Sequence, residues 1–238
     1  SVLAQSGKMI VHAQTLRFEA AHAVKDKYPD RFIVCGDEDS DLKIHSAVQL
    51  PGGLQIALRS VDKEYNFLLP LYGLHHAHNA ALAFAAALEL GLPADSVITA
   101  LESTPQISHR LEIKKLPGGV TLIDDAYNSN PVGFRSALDL LAVLGERGRK
   151  ILVTPGMVEL GAAHEEAHYD IGAYAAKTCD VVVAVAPARI PSFLRGFQDN
   201  APGTPMIEVP SFAQASAWME RNRQSGDVIL LENDLPDI

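Results

Sequence analysis

Two carboxylates, a phenol and two amides stand within one short segment near the middle of the chain, Asp124-Asp125-Ala126-Tyr127-Asn128-Ser129-Asn130-Pro131. The segment lies between a predicted strand and a predicted helix, and open α/β sheets bind ligands at that end of their strands. These groups suit ribose hydroxyls, a substrate amine or metal-bound water. The alternative is local capping, with Asn130 as the N-cap and Pro131 in the first helical position. One turn can serve both purposes.

A second polar segment, Tyr72-Gly73-Leu74-His75-His76-Ala77-His78-Asn79, opens a helix directly after a strand. The N–H groups of a helix start, beside imidazoles and an amide, suit a polar ligand or the edge of a purine. Only His75 and His78 share a helix face, and no acidic or cysteine partner stands at ligand spacing, so we predict no metal here. Polar residues that merely fill a helix start are the alternative.

Two shorter motifs follow. The first is His109-Arg110-Leu111-Glu112, at the predicted junction of the two domains. The planar, permanently charged guanidinium of Arg110 suits a phosphate. A surface ion pair with Glu112 or another carboxylate is the alternative. The segment Thr154-Pro155-Gly156-Met157-Val158-Glu159-Leu160-Gly161 follows a buried strand and is typical of a ligand-facing loop, although an ordinary surface connection has the same pattern.

One match to a zinc-protease motif is misleading. His164-Glu165-Glu166-Ala167-His168 has the form H-E-x-x-H. A longer version of that motif needs Gly at 171 and His at 174, where this chain has Ile171 and Tyr174. Acidic residues are also expected in the first turn of a helix, where the dipole favours them. We therefore predict no metal site in this segment.

The elements that position these motifs differ between the two halves of the chain. Short apolar runs predict strands at 9–13, 31–35, 42–48, 54–61 and 65–71, with a hairpin turn at Gly52-Gly53. Helices at 77–90 and 94–103 follow. After Arg110, strands at 120–124, 150–154, 180–186, 206–209 and 227–231 alternate with helices at 131–144, 164–178, 191–197 and 211–223.

Strands that are apolar on both faces predict a sheet covered by helices on both sides. We expect an α/β protein whose C-terminal part is a doubly wound, mostly parallel, Rossmann-like sheet, preceded by a partial α/β domain rich in short strands. The predicted domains are residues 1–108 and 109–238.

Composition excludes several classes of function. The chain is 47% hydrophobic and carries a formal charge of −9, without the basic cluster that nucleic-acid binding requires. It has no apolar run near the ~20 residues of a membrane span, and no signal-peptide core at its start. Cys35 and Cys179 are expected to be buried, reduced thiols. We expect a cytoplasmic protein that binds neither nucleic acid nor membranes.

The four polar segments occur together, and in this order, in the Mur ligase family. Residues 73–80 resemble its G-x-H-N-x-x-N-A helix start, and Arg110 resembles an arginine at its junction of central and C-terminal domains. Residues 124–131 resemble the D-D-x-Y-N-A-N-P segment of the branch that adds D-alanyl-D-alanine to a muramoyl tripeptide. Residues from Met157 to Gly172 resemble that branch's G-x-M-x-E-L-G…H…G pattern. The resemblance runs from about residue 65 to the end.

The resemblance implies that residues 1–108 are the C-terminal part of a central ATP-binding domain and residues 109–238 a C-terminal domain. The implied reaction, in peptidoglycan precursor synthesis, uses ATP and Mg²⁺ to phosphorylate a carboxylate of a UDP-linked muramoyl tripeptide. The amine of D-alanyl-D-alanine then attacks the acyl phosphate. By the same resemblance, His75, His76, Asn79, Arg110 and Asp125 would contact ATP, and Tyr127, Asn128, Asn130 and Glu159 the incoming amine substrate.

The chain also departs from the family. It contains no G-K-T phosphate loop, and it lacks the Lys and Glu that hold magnesium in the family. His76 stands where the family usually has Asn, and Glu232-Asn233-Asp234 stands where the family has K-G-S. We therefore expect the C-terminal half of a ligase, inactive without the missing N-terminal half. The alternatives are a non-catalytic Mur-ligase-like binding module and a fragment of a folylpolyglutamate-synthase-like ligase. The folylpolyglutamate-synthase branch usually has D-G-A-H-N-P where this chain has D-A-Y-N-S-N-P at 125–131, which disfavours that alternative.

Overall fold

The structure, a computed structural model, describes residues 7–127 and 129–233. The chain divides into two compact units, Ser1–Pro105 and Gln106–Ile238. Within the described ranges, no helix is long and apolar enough to cross a membrane. Cys35 and Cys179 are buried and unpaired, as predicted. Burial raises the pKa of the Cys35 thiol to about 11 and that of Cys179 to about 12.

The first unit is a mixed sheet backed by helices. Its elements are β1 (Met9–His12), α1 (Glu19–Lys27), β2 (Phe32–Gly36), β3 (Leu42–Leu50), β4 (Gly53–Arg59), β5 (Glu64–Leu69), α2 (His75–Glu89) and α3 (Ala94–Glu102). The strand order is β1-β2-β3-β4-β5, parallel from β1 to β3 and antiparallel from β3 to β5. Helix α2 packs over β1–β4, and its Phe84 joins Ile56 and Phe67 in the core.

The predicted hairpin and strands of this unit are confirmed, but one helix was missed. Strands β3 and β4 pair Leu50 with Gly53 around a tight turn. Gly53 is required, because its φ is +138° and a Cβ there would lie 2.3 Å from the carbonyl oxygen of Leu69. Helix α1 buries none of its residues, so no apolar stripe in the sequence marks it.

The second unit is built on a six-stranded sheet. Its elements are β6 (Glu112–Leu116), β7 (Val120–Asp125), α4 (Pro131–Leu144), β8 (Lys150–Thr154), α5 (His164–Ala175), β9 (Val181–Val185), α6 (Pro191–Asn200), β10 (Met206–Val209), α7 (Phe212–Asn222) and β11 (Val228–Glu232). The strand order is β10-β9-β8-β11-β7-β6, and every neighbouring pair is parallel except β6 and β7. The expected doubly wound, mostly parallel sheet is confirmed.

Helices cover both faces of this sheet. Helix α7 packs through Ala215 and Trp218 on alternate strand residues such as Val183. Helices α4, α5 and α6 contact one another, and α4 packs on β11 and β7. Strand β9 is buried at every residue. The sequence pattern did not predict β6, because this short, charged antiparallel edge strand has no apolar run.

The parallel order places the ends of β7, β8 and β11 along one side of the sheet, here called the carboxyl edge. Its defining residues are Asp125, Thr154 and Glu232. The opposite side, where these strands begin, is called the amino edge. The carboxyl edge is where a sheet of this type binds its ligands.

Candidate functional site

Arg110 lies in a strained turn at the carboxyl edge. The residues on either side of it, His109 and Leu111, have φ angles of +58° and +51°. Non-glycine residues rarely adopt this left-handed backbone, which costs about 1–3 kcal/mol at each position. Such a turn persists only where surrounding groups hold it in place.

Four hydrogen bonds hold the turn. The Asp125 Oδ1 atom accepts from the Leu111 N–H at 3.1 Å, and Asp124 contacts the His109 Nδ1 atom at 3.0 Å. The Tyr127 N–H donates to the His109 carbonyl at 3.3 Å, and the Glu112 Oε2 atom accepts from the His109 N–H at 3.2 Å. At the end of β7, Asp125 therefore holds the backbone after Arg110, and Asp124 holds the side chain of the residue before it.

The side chain of Arg110 stacks on an exposed aromatic ring. Its guanidinium carbon lies 4.4 Å from the centroid of the Tyr127 ring, which is 65% exposed. Glu112 pairs instead with Lys114, at 3.1 Å, and Arg110 forms no ion pair with any residue of the described ranges. A stacked guanidinium keeps its in-plane N–H donors for an anion.

An acidic cluster beside the turn is already neutralised. Ligand atoms of His109, Glu112 and Asp124 lie within 4.8 Å of one another, as metal ligands would. The Lys114 ammonium contacts both carboxylates, and its hydrogen bond to Asp124 raises the pKa of Lys114. Burial opposes ionisation of Asp124, but hydrogen bonds from Lys114 and His109 hold its pKa below the ordinary value. The lysine takes the place of a cation, so we assign these residues to holding the turn.

Asp125 also faces a second acid. It pairs in register with Glu232 of β11, whose side chain is completely buried. The Ser129 hydroxyl donates to the Glu232 Oε1 atom. Burial and the neighbouring Asp125 raise the pKa of Glu232 well above its usual range, and burial also raises the pKa of Asp125. Sequence reasoning noted Glu232 only as a departure from the family, although its place at the end of a buried strand was a usable signal.

The turn after β7 caps helix α4, as predicted. The Asn130 Oδ1 atom accepts from the N–H groups of Val132 and Gly133 at 3.1 and 2.9 Å, and Pro131 is the first helical residue. Asn128 lies outside the described residues. The roles of Tyr127, Asn128 and Asn130 toward a substrate stay predictions.

The loop after β8 is tied to its surroundings at Gly156 and Met157. The His168 Nε2 atom accepts from the Met157 N–H at 2.9 Å, while its Nδ1–H donates to the His164 carbonyl at 2.8 Å. The Asn233 amide donates to the Gly156 carbonyl at 2.7 Å. Both ring nitrogens of His168 are thus engaged with backbone, which accounts for this histidine without a metal.

Farther along this loop, Glu159 is exposed and has a φ of +61°. An exposed acid in a left-handed conformation is a reasonable ligand contact. Its role toward the amine substrate stays a prediction.

The predicted base-binding residues lie in the first unit, at the start of α2, which begins at His75. His76 is buried and its ring lies 4.1 Å from that of His75, whereas His75 and Asn79 are exposed. The His12 Nε2 atom lies 2.6 Å from the His78 Nδ1 atom. Sequence reasoning missed His12, because 66 positions separate it from its partner.

The protonation of this histidine pair follows from its contacts. The Gln14 N–H donates to the His12 Nδ1 atom at 3.1 Å, so His12 carries its proton on Nε2 and donates it to His78. Burial, and then the neighbouring His12, lowers the pKa of His78. Protonation of His78, in the first turn of α2, is therefore disfavoured.

Comparison with known proteins gives the family and the fold of this chain. Residues 109–232, more than half of the chain, match the family described as "Mur ligase, glutamate ligase domain". The chain is 31% identical over 134 residues to the UDP-N-acetylmuramoyl-tripeptide–D-alanyl-D-alanine ligase of Bacillus subtilis, covering 56% of this chain and 29% of that protein. It is 28% identical over 235 residues to the UDP-N-acetylmuramate–L-alanine ligase of Streptomyces griseus, covering 94% and 49%.

Solved structures show the same fold. A MurF structure from Acinetobacter baumannii superposes with a TM-score of 0.75 at 24% identity, covering 94% of this chain and 48% of that one. The Thermotoga maritima MurF ligase in complex with ADP gives 0.71 at 19%, covering 96% and 51%. The chain spans less than half of the length of either curated relative. The family match over most of the second unit establishes that the chain belongs to the Mur ligase family.

Proposed function

We propose that this chain is the C-terminal part of an ATP-dependent amide ligase that adds D-alanyl-D-alanine to a UDP-muramoyl tripeptide. In the balanced reaction, a carboxylate, an amine and ATP give an amide, ADP and phosphate. In this proposal the chain supplies contacts to the nucleotide and to the incoming amine. Named relatives that add this dipeptide support the choice of amine. The relative that adds L-alanine makes L-alanine the competing candidate.

The observation that carries the proposal is the arrangement around Arg110. A strained turn, held by two aspartates, presents a guanidinium that forms no ion pair with any described carboxylate. Fixed positive charge that needs no rearrangement is what phosphoryl transfer requires. Arg110 therefore fits the phosphates of ATP, and Asp125, beside it, the ribose.

Magnesium fits this chain less well than the nucleotide does. The described cluster with ligand spacing is His109, Glu112 and Asp124, and it already contains the ammonium of Lys114. Mg²⁺ is expected with the ATP phosphates, held by residues of the N-terminal half. When bound, it would neutralise phosphate charge, while Arg110 would orient the same phosphates.

Nucleotide binding is testable on the chain itself. We expect ADP at millimolar concentration to shift the backbone NMR resonances of Arg110, Leu111 and Asp125. Arg110→Ala should abolish those shifts, because it removes the fork that holds the phosphates. Arg135→Ala is the matched control, since Arg135 is exposed on α4 and should leave them unchanged. Identical shifts in both variants would contradict a phosphate contact at Arg110.

Ligase activity needs the missing half. A hybrid that joins the N-terminal half of the Bacillus subtilis ligase to this chain should form an amide with D-alanyl-D-alanine, releasing one phosphate per product. The chain alone should release none, because it contains no G-K-T loop. A hybrid that accepts L-alanine in preference to the dipeptide would favour the competing candidate. Ligase turnover by the isolated chain would contradict the proposal that the ATP phosphates are bound by a loop outside this chain.

A further inference from the structure

We infer that Glu232 is a positioning residue that carries a proton at neutral pH and donates it to the carboxylate of Asp125, holding the Arg110 turn in place. The inference deepens the proposed function, on which its consequence for nucleotide binding rests. The shared proton itself is a property of the chain alone.

Among the described residues, the hydrogen bonds around Glu232 leave one oxygen of a fully buried carboxyl without a partner. Its Oε1 atom accepts from the Ser129 hydroxyl, while Oε2 is buried without a donor among the described residues. The paired residue of the adjacent strand is Asp125, and the two carboxyl groups interact with each other. Two ionised carboxylates can only accept hydrogen bonds and repel each other, so contact between them requires that one is protonated.

The contacts also indicate which acid holds the proton. Asp125 Oδ1 accepts from the Leu111 N–H, and Arg110 contributes positive charge, so both favour an ionised Asp125. Glu232 is fully buried, accepts only from a neutral hydroxyl and has the more strongly raised pKa. The proton therefore resides on Glu232 Oε2 and is donated to Asp125.

The other charged groups around the pair are few. Asp124 acts on Asp125 from the same strand and opposes its ionisation, but its own charge is balanced by Lys114. Helix α4 packs on β11, and its charged residues, Arg135 and Asp139, are exposed. The chain of contacts thus runs from Ser129 through Glu232 and Asp125 to the backbone beside Arg110.

The proton leaves a signature in the pH dependence of stability. In the unfolded chain Glu232 ionises near its ordinary pKa of 4.5, so above that pH unfolding releases the shared proton. This stabilisation is complete below the unfolded pKa and is lost as the pH rises. The equilibrium constant for unfolding should therefore increase by up to about tenfold per pH unit until the folded protein loses its proton.

Two variants isolate this effect. Glu232→Gln keeps a donor toward Asp125 and an acceptor toward Ser129 but has no titratable proton. Its pH profile of urea unfolding, followed by the fluorescence of Trp218, should lack the contribution of one released proton. Glu208→Gln is the matched control, because Glu208 is exposed in the same sheet and its loss should leave the profile unchanged. Identical profiles for wild type and Glu232→Gln would overturn the inference.

The positioning role has its own measurement. Hydrogen exchange at the Leu111 amide should stay slow in Glu232→Gln and become at least about tenfold faster in Glu232→Ala, where Asp125 loses its donor. Equal protection in both would show that Glu232 does not position the turn.

Carbon-13 NMR of the wild-type side-chain carboxyls gives a direct answer even where a variant fails to fold. Glu232 should show the resonance of a protonated acid at neutral pH, and an ionised resonance would overturn the inference. A protonated Glu232 without any ADP-induced shift at Arg110 would leave this inference intact and count against the proposed function. An ADP-induced shift together with an ionised Glu232 would overturn this inference and support the proposed function.

Discussion

Two buried acids bound strand β11, one just before its first residue and one as its last residue, and the protein neutralises them in different ways. At the amino edge, Asp227 is 2% exposed and receives a bidentate pair of hydrogen bonds from Arg149, at 2.9 and 2.7 Å. At the carboxyl edge, Glu232 is completely buried and faces another acid, Asp125.

The difference separates a structural contact from the candidate site. At the amino edge, a permanently charged guanidinium balances the buried carboxylate of Asp227 through two hydrogen bonds. At the carboxyl edge the charge depends on a proton, which makes the pair sensitive to pH and less stabilising. Natural proteins accept such locally unfavourable arrangements mainly at functional sites.

The largest expected effect tests the amino edge. Arg149→Ala should lower the free energy of unfolding by about 3 kcal/mol, because it leaves the buried Asp227 without its cation. Urea denaturation followed by the fluorescence of Trp218 measures this loss, because Trp218 lies in the same structural unit as Arg149 and Asp227. Arg147→Ala is the matched control, since Arg147 is exposed two positions away and should change stability little. Similar losses in both variants would remove the distinction between the two ends of β11.

The next effect tests how tightly the carboxyl edge is packed. Gly156 has a φ of +81°, and a Cβ there would lie 2.3 Å from Ile190 Cγ2 and 2.6 Å from His168 Nε2. Gly156→Ala should cost about 2 kcal/mol in unfolding free energy, from backbone strain and this overlap. Gly203 shares the left-handed backbone, with a φ of +92°, but has open space around it. Gly203→Ala should therefore cost less, and equal costs would mean that packing at this loop contributes nothing.

Some features of this sheet and its carboxyl edge could be predicted from the sequence. The apolar run of β9 predicts a buried parallel strand, and Asn130 before Pro131 predicts the cap of α4, because both are local patterns. The contact of Ser129 with Glu232 spans 103 positions, and no local pattern encodes it. The same holds for the paired rings of His12 and His78.

One departure from the family becomes intelligible in the structure. Asn233 stands where the resembling K-G-S segment has glycine, and its φ is +60°. Asparagine tolerates this conformation better than most residues with a side chain. It also adds a hydrogen bond to the Gly156 carbonyl, which a glycine lacks. Backbone conformation, invisible in the sequence alone, explains this exchange.

A pH titration distinguishes His168 from Glu232. Burial lowers the pKa of His168, so the folded protein binds fewer protons than the unfolded chain below the ordinary pKa of 6.5. Stability should therefore fall as the pH drops, by up to about 1.4 kcal/mol per pH unit. Glu232 contributes the opposite slope. His168→Gln, which keeps an acceptor for the Met157 N–H, should remove this acid-side loss, and an unchanged acid limb would contradict a neutral, buried His168.

The smallest effect compares the two arginines directly. Arg149 is held by a carboxylate, whereas Arg110 rests on the ring of Tyr127. A double-mutant cycle of Arg110→Ala and Tyr127→Ala, measured by urea unfolding, should give a coupling energy of about 0.5 kcal/mol, as expected for an exposed cation–π contact. Tyr127→Phe keeps the ring and should preserve that coupling. Loss of coupling in Tyr127→Phe as well would mean that the phenol hydroxyl, and not the ring face, holds Arg110.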